Sequence, residues 1–187
     1  MNPMLSAAYS LTASDYYALP EGPPYFQLID GELYMAPSPN RYHQDIVQNI
    51  AVLLIQHVRT AALGRVYVAP SDVIFADNQI LHPDIYFVST GRSQILTAQG
   101  AKGAPDLVIE VLSPGTATLD LGRKREIYAE SGVVEYWAVA PLTKTIAIFR
   151  FGECPDQPVA TLRENEMLSS PLLPGFSSPV SQIFQTA

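Results

Sequence analysis

The sequence has 187 residues, of which 48% are hydrophobic and 16% are charged. This length and composition are typical of one compact globular domain, and they exclude an intrinsically disordered chain. The formal net charge of −7 argues against a broadly basic surface, which general nucleic-acid binders use to neutralise phosphates.

The sequence carries no signal for a membrane or for secretion. No uninterrupted apolar run approaches the about 20 residues that a membrane-spanning helix needs. The N-terminus lacks the basic start, apolar run and cleavage site of a secretory signal. We therefore expect a cytoplasmic protein with no membrane partner. The only cysteine, Cys154, cannot form an internal disulfide and lies in a turn-like segment.

The first third of the chain predicts a capped short helix, a hairpin and a long helix. Thr12 or Ser14 would cap the short helix. An Asp-Gly turn between two apolar runs predicts the hairpin. Apolar residues at three- and four-residue spacing, stopped by Gly64, predict the long helix. The predicted elements are a helix at 12–17, strands at 25–29 and 32–35, and a helix at about 43–63.

The rest of the chain predicts strands interrupted by one helix that ends at Gly132 and turns Ile127 and Tyr128 inward. The fold class is therefore a mixed α/β (α+β) domain, with a long helix packed on a sheet. We expect a single domain over 1–187, with a helical extension at 1–24 and a core at 25–187. The further predicted elements are strands near 65–68, 73–75, 85–88, 107–112, 133–139 and 145–151, and helices at 121–131 and near 180–184.

Two strands of the predicted sheet begin with Pro-Asp, and the second of them carries an acid in its middle. Asp84 follows Pro83, and Glu110 lies within the apolar run that follows Asp106. A carboxylate inside an apolar strand is costly to bury unless it is paired or binds a metal. If the two strands are neighbours, Asp84 and Glu110 offer two carboxylates to one spot.

This arrangement predicts a site for Mg²⁺ or Mn²⁺, which prefer carboxylate, carbonyl and water oxygens in octahedral geometry. The carbonyl of Val111 would add a third ligand. Lys124 lies on the helix that follows the strand, and it would position a nucleophile or offset charge on a phosphate. The simpler alternatives are that Asp84 caps a strand and that Glu110 forms a buried ion pair with Lys124 or Arg123.

Other polar residues have structural interpretations beside the functional ones. Asp106 more readily forms a turn into its strand, and Asp120 more readily orients Lys124 or caps its helix than binds a metal. His43 and Gln44 open the long helix near the presumed cleft, where they would touch substrate or simply cap the helix. The three histidines lack the spacing of a zinc site.

Segments spread along the chain resemble the Uma-two family of restriction-endonuclease-like proteins, within the PD-(D/E)XK nuclease superfamily. Each segment is weak alone, but their order and joint presence are specific, and they cover nearly all of the chain after about residue 10. The segments are Tyr25–Glu32, Ser38-Pro39 with His43-Gln44, Pro83-Asp84, Ala104–Pro114, Asp120–Lys124 with Tyr128, Gly132–Trp137 and Ser170–Gly175.

The resemblance implies a restriction-endonuclease-like core, in which a central mixed sheet is flanked by helices. The superfamily usually has a lysine two residues after the glutamate, but position 112 is Leu. In this family the lysine appears on the following helix, where Lys124 occupies that place. The resemblance also suggests Glu32 as an additional site acid, and the alternative is a solvated hairpin residue.

Two functional hypotheses follow. The first is a metal-dependent endonuclease that acts on DNA, with Asp84, Glu110, Lys124 and Glu32 in its site. The second is a catalytically inactive nuclease-like module that binds nucleic acid or a protein partner, and the net charge of −7 favours it. A homodimer is expected under the first hypothesis, because cutting both strands of a duplex takes two sites.

Overall fold

A computed structural model describes residues 10–20, 22–35 and 38–186. These residues form a mixed α/β domain with two larger sheets, and this confirms the predicted fold class. No helix in this part of the chain has the length and apolar character that a membrane crossing requires. The strands are β1 Phe26–Ile29, β2 Glu32–Met35, β3 Gly64–Val68, β4 Asp72–Ala76, β5 Gln79–Leu81, β6 Ile85–Ser89, β7 Gly100–Lys102, β8 Leu107–Val111, β9 Glu135–Ala140, β10 Thr145–Arg150, β11 Ala160–Leu162, β12 Met167–Leu168 and β13 Ser178–Pro179.

The helices surround these sheets. Between α3 and α4 the backbone passes through a π-helical turn, Asp120–Lys124, and a 3₁₀ helix, Thr90–Ile95, follows β6. The α-helices are α1 Ala13–Tyr17, α2 Arg41–Thr60, α3 Ala117–Leu119, α4 Arg125–Ser131 and α5 Val180–Ile183.

The central sheet has six strands in the order β11-β10-β9-β8-β6-β3. Only β8 and β9 run parallel in it, with Glu110 opposite Ala138, and the other neighbours are antiparallel. Side chains alternate between its two faces. Ile109 and Val111 face the core formed with α2 and α5, whereas Val108 faces the core formed with α4. Glu110 therefore points to the α4 side.

The second sheet has five strands in the order β2-β1-β5-β4-β7. Its only parallel pair is β4 with β7, and the remaining pairs are antiparallel. Val73 of β4 and Leu81 of β5 share a buried cluster with Tyr86 and Val88 of the central sheet. The second sheet thus covers the central-sheet face that carries Glu110. The strands β12 and β13 pair separately.

Helix α2 begins after an N-cap at Asn40 and ends before Gly64. The side chain of Asn40 accepts a hydrogen bond from the His43 backbone N–H at 2.9 Å, which is an N-cap. The helix ends at Thr60, and Gly64, predicted to stop it, instead begins β3. Gly64 has φ of +155°, and a Cβ there would lie 2.1 Å from the Val88 carbonyl oxygen, so that close approach requires glycine.

Several local predictions are confirmed. Thr12 caps α1 by a capping box with Asp15. The hairpin β1–β2 turns at Asp30-Gly31, both with positive φ. Gly132 ends α4 in the left-handed conformation. The division into an extension at 1–24 and a core at 25–187 stays a prediction.

The predicted continuous helix over 121–131 is wrong. A short helix, α3, already begins at Ala117, and the π-helical turn separates it from α4. The interruption lies at Gly122, whose φ of −99° and ψ of −109° are not helical. The strands that the sequence reading missed have two or three residues each: β5, β7, β11, β12 and β13.

Candidate active site

Asp84 and Glu110 lie side by side at one end of the central sheet. Asp84 immediately precedes β6, and Glu110 is in the adjacent antiparallel strand β8, where Ile85 pairs with Ile109. The backbone N–H of Asp84 donates to Glu110 Oε2 at 3.3 Å, and the N–H of Val111 donates to Asp84 Oδ2 at 2.7 Å. The two strands therefore hold both carboxylates in a fixed relation.

Lys124 completes a buried charged group with Glu110 and Asp120. Its Nζ lies 2.5 Å from Glu110 Oε1 and 2.9 Å from Asp120 Oδ1, and the three side chains are only 3–4% exposed. Lys124 and Asp120 stand at the two ends of the π-helical turn, which directs both inward. The structure therefore includes the Glu110–Lys124 ion pair that the sequence offered as an alternative to a metal role.

The charges of this group act on one another. Burial is the largest effect and leaves the pKa of the Glu110 carboxyl above its usual value, although the positive charge of Lys124 opposes that rise. Burial lowers the pKa of the Lys124 ammonium, but the carboxylates of Glu110 and Asp120 raise it by more, so that Lys124 stays charged. Lys124 thus favours the ionised form of Glu110.

Two tyrosines support this group from behind. The hydroxyl of Tyr128 donates to Glu110 Oε1 at 2.5 Å, and the hydroxyl of Tyr136 donates to the Asp120 carbonyl at 3.1 Å. Burial is the main cause that raises the pKa of both phenols well above its usual value, so both remain donors. The sequence analysis missed the contact of Tyr128 with Glu110. The sequence feature that indicates this contact is the spacing of four residues between Tyr128 and Lys124, because it places both side chains on one helix face.

His43 reaches the carboxylates from the first turn of α2. Its Nε2 lies 3.2 Å from Asp84 Oδ2. Burial lowers the pKa of the ring, but the hydrogen bond to Asp84 and its negative charge outweigh burial and raise it overall. The buried Nδ1 of His43 has no hydrogen-bond partner among the residues that the structure describes. His43 therefore contacts a predicted site residue, and the sequence had placed it only near the presumed cleft.

A cavity of about 500 Å³ lies beside this group, and its wall includes His43, Asp84, Glu110 and Asp120. The described residues that line it contain no Lys or Arg. Its polar lining comes from amides, hydroxyls, two histidines and three acids, and its apolar lining comes mainly from Tyr25 and prolines. The lining residues are Tyr25, Gln27, Ser38, Pro39, Asn40, His43, Gln44, Ala69, Pro70, His82, Asp84, Glu110, Val111, Ser113, Pro114, Gly115, Thr116 and Asp120.

The structure brings together three of the four side chains predicted for catalysis: Asp84, Glu110 and Lys124. The fourth, Glu32, lies exposed on β2, where the hydroxyl of Tyr34 donates to it at 3.4 Å. Glu32 does not line the cavity. We therefore leave Glu32 out of the candidate site, and its predicted role stays untested.

The donor set suits a hard cation. Carboxylate and carbonyl oxygens are the ligands that Mg²⁺ and Mn²⁺ prefer, and the cavity wall includes Asp84, Glu110 and Val111. The same wall includes His43, whose buried Nδ1 has no hydrogen-bond partner among the described residues. Nowhere in residues 10–20, 22–35 and 38–186 do three or more His, Cys, Asp or Glu side chains form a ready metal-binding group. The fit therefore depends on a backbone carbonyl and water.

Two other buried acids, Glu135 and Asp106, are paired with structural partners. Glu135 is fully buried and accepts hydrogen bonds from Trp137 Nε1 at 2.7 Å and Arg150 Nε at 2.9 Å. Asp106 accepts from the Ser89 N–H at 2.7 Å, so its carboxylate contacts the end of β6, and the turn role that the sequence favoured stays a prediction. Neither of these two acids lines the cavity, whereas Asp84, Glu110 and Asp120 do.

Comparisons with known proteins identify a family and a similar fold. A family model described as "Uma2: Putative restriction endonuclease" matches residues 13–181. A crystal structure of "a putative nuclease belonging to DUF820" from Anabaena variabilis ATCC 29413 superposes with a TM-score of 0.78 at 19% identity, over 93% of this chain and 97% of that one. At this identity the likeness shows the fold alone. No curated protein matches the sequence.

Proposed function

Because the chain belongs to the Uma2 family, whose model is described as a "Putative restriction endonuclease", we propose that it is a metal-dependent endonuclease that hydrolyses DNA phosphodiester bonds. One observation carries this proposal. Asp84 and Glu110, from adjacent strands, border one cavity, and the buried Lys124 lies 2.5 Å behind Glu110. Paired carboxylates with a supporting lysine are suited to metal-assisted hydrolysis.

Asp84, Glu110 and the Val111 carbonyl would hold the cation, which is Mg²⁺ or Mn²⁺ in this proposal. When bound, such an ion supplies an activated water and offsets the negative charge that develops on the phosphate. The protein's own groups fix the ligands. The Val111 N–H orients the Asp84 carboxylate, and Tyr128 orients Glu110.

Lys124 acts through Glu110 in this arrangement. Its side chain is 3% exposed and does not line the cavity. Its ammonium therefore contacts Glu110 and does not contact a substrate in the cavity. Its positive charge opposes the rise that burial causes in the pKa of Glu110, and so favours the ionised carboxylate that binds a cation. Asp120, 2.9 Å from the ammonium, fixes its place. We therefore assign Lys124 a positioning role within the proposed reaction.

A second candidate is the inactive nuclease-like module that binds nucleic acid or a protein partner. Two observations favour it: the net charge of −7 and a cavity wall without Lys or Arg among its described residues. A homodimer belongs to the first candidate, because two cavities would serve the two strands of a duplex. Sedimentation velocity measures that state directly.

The test is cleavage of supercoiled plasmid and of a single-stranded oligonucleotide with Mg²⁺ or Mn²⁺. We expect Asp84→Asn and Glu110→Gln to lower the rate by about 100-fold or more, because each removes a charge that holds the cation. We expect Lys124→Ala to lower it as well. Asp77→Asn is the matched control, since Asp77 is exposed in the β4–β5 turn and does not line the cavity.

Calorimetry of Mn²⁺ binding accompanies the cleavage assay. The nuclease proposal expects binding that Asp84→Asn and Glu110→Gln weaken and Asp77→Asn leaves unchanged. If the wild type cuts neither substrate and binds no Mn²⁺, the nuclease proposal fails and the inactive module replaces it.

A further inference from the structure

The cavity beside Asp84 and Glu110 has an unusual wall for a protein proposed to bind a polyanion. None of the described lining residues is Lys or Arg, whereas amides and hydroxyls are numerous, among them Gln27, Asn40 and Ser113. Phosphate contacts by cations supply most of the affinity of general duplex binders. This wall therefore offers little for a duplex backbone and more for a neutral, flat group.

Tyr25 is the aromatic group of this wall. It is 48% exposed and immediately precedes β1, so its backbone is attached to the second sheet. The strand beneath it is fixed: the Phe26 carbonyl accepts from the Tyr16 hydroxyl at 3.0 Å, and Gln27 Oε1 accepts from the His82 N–H at 3.0 Å. An exposed ring on a fixed strand is a suitable stacking surface for a nucleobase, since every base has a flat face.

Electrostatics also favours an unpaired strand over a duplex. The protein carries a net charge of −7, and a duplex has a higher linear charge density than a single strand. The bases of a duplex are stacked on one another, so none can enter a cavity unless it leaves the helix. A volume of about 500 Å³ lies within the range of about 300–1,000 Å³ that small-ligand cavities have.

We propose that this cavity accepts an unpaired base of a DNA strand, stacked on Tyr25, and that the protein therefore acts on single-stranded or locally unpaired DNA. The inference rests on the nuclease function proposed above and names its substrate class. The amides and hydroxyls of the wall contact the edge of the base, and the adjacent strand phosphate lies toward Asp84 and Glu110.

Binding without cutting tests this inference on its own. Fluorescence anisotropy is measured with a labelled single-stranded oligonucleotide and with the matched duplex, once in EDTA and once in Ca²⁺. We expect the single strand to bind about tenfold more tightly than the duplex, because base stacking on an aromatic ring contributes an effect of this size. Equal or tighter duplex binding, or no single-strand binding in either buffer, overturns the inference.

Variants of two exposed tyrosines on the same hairpin locate the stacking surface. We expect Tyr25→Ala to weaken single-strand binding by about tenfold and Tyr25→Phe to preserve it, because stacking needs the ring and not the hydroxyl. Tyr34→Ala is the matched control, since Tyr34 is 38% exposed on β2 and does not line the cavity. An equal loss in Tyr25→Ala and Tyr34→Ala contradicts a base site in the cavity.

A cleavage arm separates failure of this inference from failure of the proposed function. The substrates are a fully paired duplex, the same duplex with a central unpaired bubble, and the single strand, each with Mn²⁺. Cutting confined to the single strand and the bubble supports the inference. Cutting of the paired duplex at an equal rate overturns it and leaves the nuclease function intact. No cutting of any substrate overturns the nuclease function, while the anisotropy result still decides where a base binds.

Discussion

At the residue scale, the sequence pointed to Asp84, Glu110 and Lys124 because each has a local signature. Asp84 follows a proline at a strand start, Glu110 interrupts an apolar strand, and Lys124 follows on the next helix. The contact of His43 with Asp84 had no such signature, and the spacing of Tyr128 from Lys124 did not identify Glu110 as its partner. Both depend on how α2 and α4 approach the sheet, and this is a property of the tertiary packing.

The burial of the Glu110–Lys124 pair leads to a prediction about stability. We expect Lys124→Ala to lower the free energy of unfolding by about 3–5 kcal/mol, because it leaves Glu110 and Asp120 buried without a cation. Lys144→Ala is the control, since Lys144 pairs with Glu164 at 3.0 Å with both side chains 47% exposed, and we expect little change. Urea unfolding followed by the fluorescence of Trp137, the single tryptophan, measures both. Equal losses in the two variants would contradict the buried pair.

At the element scale, long elements with clear periodicity were predictable and short ones were not. The repeat of apolar residues in α2 and the turn chemistry of the β1–β2 hairpin each extend over enough residues to be read locally. The three-residue strands β5 and β7 are too short to show alternation, and they exist because β4 pairs with both. The π-helical turn at Asp120–Lys124 was also missed, because the sequence around Gly122 continues a helical pattern.

The end of α4 gives a prediction at this scale. Gly132 has φ of 90° and ψ of 26°, and a Cβ there would meet no atom within 4 Å. We expect Gly132→Ala to lower the free energy of unfolding by about 1 kcal/mol, because an alanine adopts this left-handed conformation at a cost without any clash. Gly152→Ala serves as the control, since Gly152 is equally open and lacks a positive φ. Chemical denaturation of both variants checks this, and an equal effect would contradict the explanation.

At the scale of the whole molecule, five tyrosines from α1, β6, α4 and β9 are wholly or partly shielded from water. Burial is the main cause that raises the pKa of five tyrosines, and that of Tyr16 rises to about 12. The sequence predicted the apolar strands but not which tyrosines the folded protein would shield from water. These five tyrosines are Tyr16, Tyr17, Tyr86, Tyr128 and Tyr136.

The raised pKa values of these tyrosines predict a loss of stability at alkaline pH. The folded pKa values lie above the unfolded value of about 10, so folding favours the protonated phenols. Their contribution is complete below pH about 10 and is lost as the pH rises through the folded values. We expect the free energy of unfolding to fall between pH 10 and 12, with a step in tyrosinate absorbance that coincides with unfolding. An absorbance change that is complete before the protein unfolds would contradict this.

The burial of Lys124 also has a consequence for chemical modification. The sequence contains three lysines, Lys102, Lys124 and Lys144, and Lys124 is the buried one. Amine-reactive dyes and coupling resins need a neutral, accessible amine. At Lys124 burial prevents access, and the carboxylates of Glu110 and Asp120 keep the amine charged. The native protein can therefore carry a fluorophore or a surface tether at Lys102 or Lys144 while the charged group beside the cavity stays unmodified.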